Sequence, residues 1–342
     1  VQILRFIAAA GVLISHTADL LIPRDSPIWN VEWTSGVDIF FVISGFIMAY
    51  LTIGCFGDAR AAGSFLARRA IRIAPPYWFF TTLMVGAVLV FPSHVQHSSV
   101  TAPQLVTSYG FVPWPRADGL LNPILSQGWT LNYEAFFYLA FALAMLSRRG
   151  LLWLACLFAL LAAAHPWIPP RLFVLRFWSN PIILEFLAGI GLGLVFARGR
   201  RLPFWASALL CGAALILFAA PARVQLGGVN RAFTRGVPAA LLAAGFILGP
   251  EPDRPGAVRR ALVRLGDASY TLYLSHTLTI NAVILLWRKA GVGLPWVGLC
   301  VGMAAAIAIA LLLYQWLERP MTEMLQRATR VRPIRGAAAI AP

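Results

Sequence analysis

The chain opens Val1-Gln2-Ile3-Leu4-Arg5-Phe6-Ile7-Ala8-Ala9-Ala10-Gly11-Val12-Leu13-Ile14-Ser15-His16-Thr17-Ala18-Asp19-Leu20-Leu21-Ile22. This is one apolar stretch of a length that spans a bilayer as a helix. It is interrupted by Arg5 and His16, eleven residues apart. At about 100° per residue, eleven steps return to nearly the same helix face, about 16 Å further along. Charge is expensive in lipid, so ionisable residues inside such a segment mark a functional site by default. The pair therefore predicts a cation near one membrane surface and an imidazole deep in the bilayer, both facing one cavity. The stretch has neither a charged leader region nor a small-residue cleavage site, and it reads as a retained helix.

Composition extends this reading to the whole chain. Of 342 residues, 59% are hydrophobic and only 12% charged, and the mean hydropathy is +0.75. A soluble domain carries about twice that charged fraction. The class expected is all-α: a polytopic membrane protein with about ten transmembrane helices around a central cavity. The net charge of +15 would suggest nucleic acid in a soluble protein, but loop arginines of a membrane protein explain it better, so no nucleic-acid partner is expected. Cys55, Cys156, Cys211 and Cys300 are scattered and lack metal-ligand spacing, so no disulfide framework and no metal site are expected.

Apolar segments place the spans at 1–22, 36–54, 73–91, 127–146, 151–166, 180–197, 204–220, 233–249, 267–287 and 296–317. With the N-terminus inside, the inner loops and tail carry about twice the cations of the outer segments, which predicts both termini in the cytoplasm. Residues 1–320 read as a single membrane domain and 321–342 as a basic cytoplasmic tail. The longest loop, 92–126, is rich in proline and aromatics, and is expected to be an ordered cap or re-entrant segment or a plain interfacial loop. No internal repeat is evident.

Several residues stand out within this frame. His16 can act as a general base, with Asp19 at i+3 a candidate to hold its other ring N–H. Arg5 could serve the site or snorkel to headgroups. Arg68, Arg69 and Arg72 stand at the inner end of the third span in RRAIRIAPPYW, residues 68–78. Paired guanidiniums suit a phosphate-bearing ligand, although any basic loop anchors a helix in the same way. Glu134 in GWTLNYEAFFY, residues 128–138, lies about two turns into its span, at a depth similar to His16. Asp38 in GVDIFFVISGF, residues 36–46, stands at the outer mouth of the second span, and Ser44-Gly45-Phe46 suggests close helix packing. Tyr270, Tyr273 and His276 share a helix face in ASYTLYLSH, residues 268–276, lining either a polar cavity or a helix contact. Glu185 and Glu318 read as structural. His94, His97 and His165 have no evident role.

These segments in this order resemble the acyltransferase-3 family of integral membrane acyltransferases. The matching features are Arg5 and His16 with ten residues between them, and the stretches at 36–46, 68–78, 128–138 and 268–276. Within the family the chain is most similar to exopolysaccharide O-acetyltransferases. The resemblance implies a ten-helix fold in a bacterial-type cytoplasmic (inner) membrane, using acetyl-CoA or another acyl-CoA as donor. It implies catalytic roles for Arg5, His16 and Glu134, and donor binding by Arg69 and Arg72, with Arg68 beside them. Asp19, Asp38, Tyr270, Tyr273 and His276 remain cavity candidates. Some relatives append an SGNH hydrolase-like domain, and none is expected here.

The chemistry implied is transfer of a short acyl group to a hydroxyl of a carbohydrate, such as an exopolysaccharide or lipid-linked glycan. Membrane lipids and polysaccharide-assembly proteins are the expected partners. A covalent acyl-His intermediate is a variant of the same scheme. The rival reading is a transporter or flippase that moves a lipid-linked glycan or acyl donor without chemistry, since buried charges fit it equally well.

Overall fold

The computed structural model describes residues 1–90, 100–219, 231–251 and 256–329. Among them there is helix and turn but no strand. The α-helices are α1 (Gln2–Leu21), α2 (Gly36–Thr52), α3 (Ala59–Val90), α4 (Ala102–Tyr109), α5 (Trp129–Ala144), α6 (Gly150–Ala164), α7 (Phe173–Trp178), α8 (Leu184–Ala197), α9 (Phe204–Ala219), α10 (Val237–Leu248), α11 (Ala257–Asp267), α12 (Ser269–Lys289), α13 (Pro295–Leu313) and α14 (Arg319–Thr329). Each of the ten expected spans is helical over most of its length. Among the described residues, five helical stretches are long and apolar enough to cross a membrane: Gln2–Leu21, Trp33–Thr52, Ala59–Val90, Gly150–Trp167 and Pro295–Thr329. Pro181–Ala197, Phe204–Ala219 and Ala232–Leu248 are apolar but shorter. Large apolar side chains stand exposed on these helices, among them Leu160, Leu209, Ile216 and Leu312. A soluble protein would hide such surface, whereas lipid accepts it.

The chain forms two compact units. The first comprises Val1–Tyr50 and Glu185–Trp316. At its heart, α1 packs against α11, α12 and α13. Leu4 and Ala8 of α1 join Ile39, Val42 and Phe46 of α2 and Ala239, Leu242 and Ala243 of α10 in one core. Ala9 and Leu13 meet Leu272 and Ile280 of α12 and Ala306 and Ala310 of α13 in a second. Small residues allow this crowding. A Cβ added to Gly36 would lie 2.1 Å from the Ala8 carbonyl oxygen, and one added to Gly45 would lie 2.0 Å from that of Phe186. The packing role expected for Gly45 is what the structure shows.

The second unit comprises Leu51–Leu184 and the segment from Leu317 onward. Here α3 packs on α5 and α14, and α5 packs on α6. Aromatic rings fill it: Phe65 and Phe141 have centroids 5.2 Å apart, and Phe136 stacks on Trp178 at 5.2 Å.

Two features differ from expectation, and a third decides between expected alternatives. The helix that carries the third span begins not at 73 but at Ala59, so most of residues 55–72, expected as an inner loop, is helix. Asp58 causes this: its carboxylate caps the helix by accepting from the amides of Arg60 (2.8 Å) and Ala61 (3.2 Å). Good helix formers follow it. Secondly, α11 and α14 turn the loop before span nine and the start of the basic tail into basic helices. Thirdly, the described part of the 92–126 loop is an ordered cap. The hydroxyl of Tyr77 donates to the Ser108 carbonyl (3.0 Å), and the indole of Trp78 donates to that of Tyr109 (2.9 Å). His94 and His97 lie outside the described residues.

Candidate functional site

Arg5 and His16 occupy α1 of the first unit. Arg5 is buried, and its guanidinium donates to Gln2 Oε1 at 3.2 Å. The Gln2 amide in turn donates to Asp267 at the end of α11. His16, eleven residues along, is half-buried. Its ring meets that of His276 on α12, with centroids 5.2 Å apart and ring planes at 42°. Tyr273 extends the group, its ring 5.9 Å from that of His276, and Tyr270 is half-buried one turn earlier. On this face His276 contacts His16 of α1, while the Tyr273 ring meets Phe40 of α2, with centroids 5.9 Å apart.

His276 is 1% exposed. Its Nδ1 lies 2.7 Å from the Tyr273 carbonyl oxygen and 3.2 Å from that of Leu272. A carbonyl only accepts, so Nδ1 carries the proton and Nε2 holds the lone pair. Nε2 is buried and has no hydrogen-bond partner among the described residues.

Asp19 differs from expectation. Its carboxylate pairs with Arg24 at 2.8 Å, and no hydrogen bond joins it to His16 among the described residues. The i+3 spacing puts the two residues near each other, but the neighbouring cation takes the carboxylate. Asp38 is engaged by a cation as well. It is fully buried and held by Arg231 through two hydrogen bonds of 3.3 and 3.0 Å. Glu185 lies beside it, 3% exposed, and Gly236 leaves Glu185 its room: a Cβ there would approach Oε1 to 2.9 Å. Arg235 pairs with Glu32 at 2.8 Å and donates to Thr34 at 3.0 Å. Sequence reasoning counted Arg231 and Arg235 only as outer cations, because nothing in local spacing links them to α2.

The second unit holds Arg68, Arg69, Arg72 and Glu134. Arg69 is 9% exposed, its guanidinium 5.9 Å from the Phe65 ring centroid and 6.0 Å from that of Tyr138. Its Nε, together with Nε and Nη2 of Arg68, is buried without a hydrogen-bond partner among the described residues. Arg72 stands one turn on, half-buried. Tyr138 donates its hydroxyl to Glu134 Oε2 at 3.0 Å. Sequence reasoning passed over Tyr138, although its i+4 spacing from Glu134 signals the contact. Pro75 and Pro76 lie inside α3. Lacking N–H groups, they leave the carbonyls of Ile71 and Arg72 without their usual helical donors. This stretch thus combines guanidinium donors that have no acceptor with carbonyls that have lost their donors.

Residues 1–315 match the family model described as "Acyltransferase domain". The chain belongs to the acyltransferase-3 family. This acyltransferase is similar to exopolysaccharide production protein ExoZ of Rhizobium meliloti (strain 1021), with 35% identity over 87% of this chain and 92% of that protein. It is also similar to acyltransferase MdmB of Streptomyces mycarofaciens, at 27% identity over 95% of this chain and 91% of that protein. Nodulation protein 10 of Rhizobium leguminosarum bv. viciae shares 25% identity over 94% of this chain and 93% of its own. No solved structure matches it. The acyltransferase is an integral membrane protein, by its family and its long apolar helices.

Proposed function

We propose that this membrane acyltransferase moves an acetyl or other short acyl group from cytoplasmic acyl-CoA to a hydroxyl of a carbohydrate acceptor, an exopolysaccharide or its lipid-linked repeat unit. The observation that carries the donor assignment is the set of guanidinium N–H groups of Arg68 and Arg69, buried without acceptors in the second unit. Buried donors left unmatched are unfavourable by about 1–3 kcal/mol each. Phosphate oxygens supply the missing acceptors, and the guanidinium fork suits them. The relatives' names, which refer to exopolysaccharide production and nodulation, support a carbohydrate acceptor.

In this reading Arg69 and Arg72, with Arg68, hold the CoA phosphates in the second unit, where Glu134 is a candidate acid–base group. In the first unit Arg5 serves catalysis and His16 takes the proton of the acceptor hydroxyl. The oxygen attacks the thioester carbonyl, the carbon–sulfur bond breaks, and the thiolate recovers the proton as free CoA. Holding both substrates in one protein supplies much of the rate. The accompanying topology is about ten spans in a bacterial inner membrane with both termini cytoplasmic, a single membrane domain over 1–320 and a basic tail over 321–342.

The test is thiol release from acetyl-CoA by purified wild type and His16→Ala, with and without a crude lipid-linked glycan extract. Release that needs both the extract and His16 is the expected result. Release by folded His16→Ala at the wild-type rate overturns the scheme.

A further inference from the structure

The base proposed above needs its imidazole held in one tautomer and one orientation, and a partner for its second nitrogen once it takes a proton. Asp19 is engaged by Arg24. One other group touches the ring with matching chemistry. His276 lies against His16 at a centroid separation of 5.2 Å, almost wholly buried. Its Nδ1 proton is committed to the Tyr273 and Leu272 carbonyls, and its Nε2 lone pair is without a partner. Two imidazoles joined nitrogen to nitrogen by an ordinary hydrogen bond of about 3 Å have centroids about 5 Å apart, the separation found here.

We infer that His276 is the positioning residue of the reaction: no hydrogen bond joins the two rings among the described residues, and with substrates bound its Nε2 accepts one from a ring N–H of His16. The inference rests on the reading of His16 as the base. With one nitrogen donating to His276, the other keeps its lone pair for the acceptor hydroxyl. When that hydroxyl gives up its proton, His16 becomes an imidazolium whose second N–H already has an acceptor. The thioester carbonyl gains the acceptor oxygen and loses sulfur, and the proton passes from His16 to the departing thiolate. His276 gains and loses nothing. Two backbone carbonyls fix its tautomer, so it acts as a neutral acceptor in an apolar surrounding, where a carboxylate would bring a buried charge of its own.

The experiment compares His276→Phe, His276→Gln and His276→Asn with wild type and His16→Ala, by thiol release from acetyl-CoA with the glycan extract. Phe keeps the shape and removes the acceptor. Gln places a carboxamide oxygen near the Nε2 position, and Asn places it near Nδ1. Expected is a fall in kcat of about 10- to 100-fold for Phe and Asn, an unchanged KM for acetyl-CoA, and substantial recovery in Gln. Should the Phe variant fail to fold, the contrast between Gln and Asn decides. The positioning role is overturned by wild-type kcat in folded His276→Phe, by Gln as slow as Asn, or by a raised KM with unchanged kcat. Wild-type activity in His16→Ala would instead remove the underlying reading, so the two failures are distinct.

Discussion

Arg69 carries a local conflict: a guanidinium nine-tenths buried near two aromatic rings, with an N–H that has no acceptor among the described residues. A phosphate resolves it, and a lysine in its place keeps the charge but loses the planar fork. Arg69→Lys is therefore expected to raise the KM for acetyl-CoA by about tenfold, equivalent to one good hydrogen bond, while kcat changes little. Thiol release across a range of acetyl-CoA concentrations checks this. An unchanged KM would remove Arg69 from donor binding. The residue scale is also where sequence spacing reached its limit. Arg5, His16 and Glu134 stand out as candidates because charge in an apolar run is conspicuous. The contact of His16 with His276 is not legible there, because local spacing suggests only Asp19, and only the fold brings α12 against α1.

Among the elements, α2 and α8 approach closely. A Cβ on Gly189 would sit 2.0 Å from the Val42 carbonyl oxygen, while nothing lies within 4 Å of the corresponding point on Gly191. Gly189→Ala is expected to destabilise the first unit by about 1–3 kcal/mol, and Gly191→Ala on the same helix to leave stability unchanged. Thermal unfolding of the two variants in one detergent makes the comparison. Equal melting temperatures would mean that the contact relaxes at no cost. Apolar segments gave away the positions of these helices, because lipid demands long apolar runs. They misplaced the start of α3, where arginines and alanines mask a helix whose beginning is set by one capping carboxylate, Asp58. They also said nothing of α11 and α14, whose basic faces read as loop.

For the whole molecule, charge distribution is the governing quantity. Cations crowd one set of loops and the C-terminal tail, and such loops stay in the cytoplasm. A fluorescent protein fused at the C-terminus is expected to fluoresce, and an alkaline phosphatase fused there to be inactive. The reverse pair would invert the topology and move the arginines away from cytoplasmic acyl-CoA. Which pairings form across long stretches of sequence, such as Asp38 with Arg231, is set by the whole fold and by nothing local.

The length of α3 has a consequence for the surroundings. Its 32 residues measure about 48 Å at 1.5 Å per residue, against about 30 Å of hydrocarbon. With Val90 at the outer boundary, the inner boundary falls about twenty residues back, beside Arg69 and Arg72. Those guanidiniums then stand at the depth of the lipid phosphates. If Arg69 and Arg72 hold the acyl donor as proposed, phospholipid headgroups compete for the same cations, and donor affinity then depends on the membrane's anionic lipid content as much as on the protein.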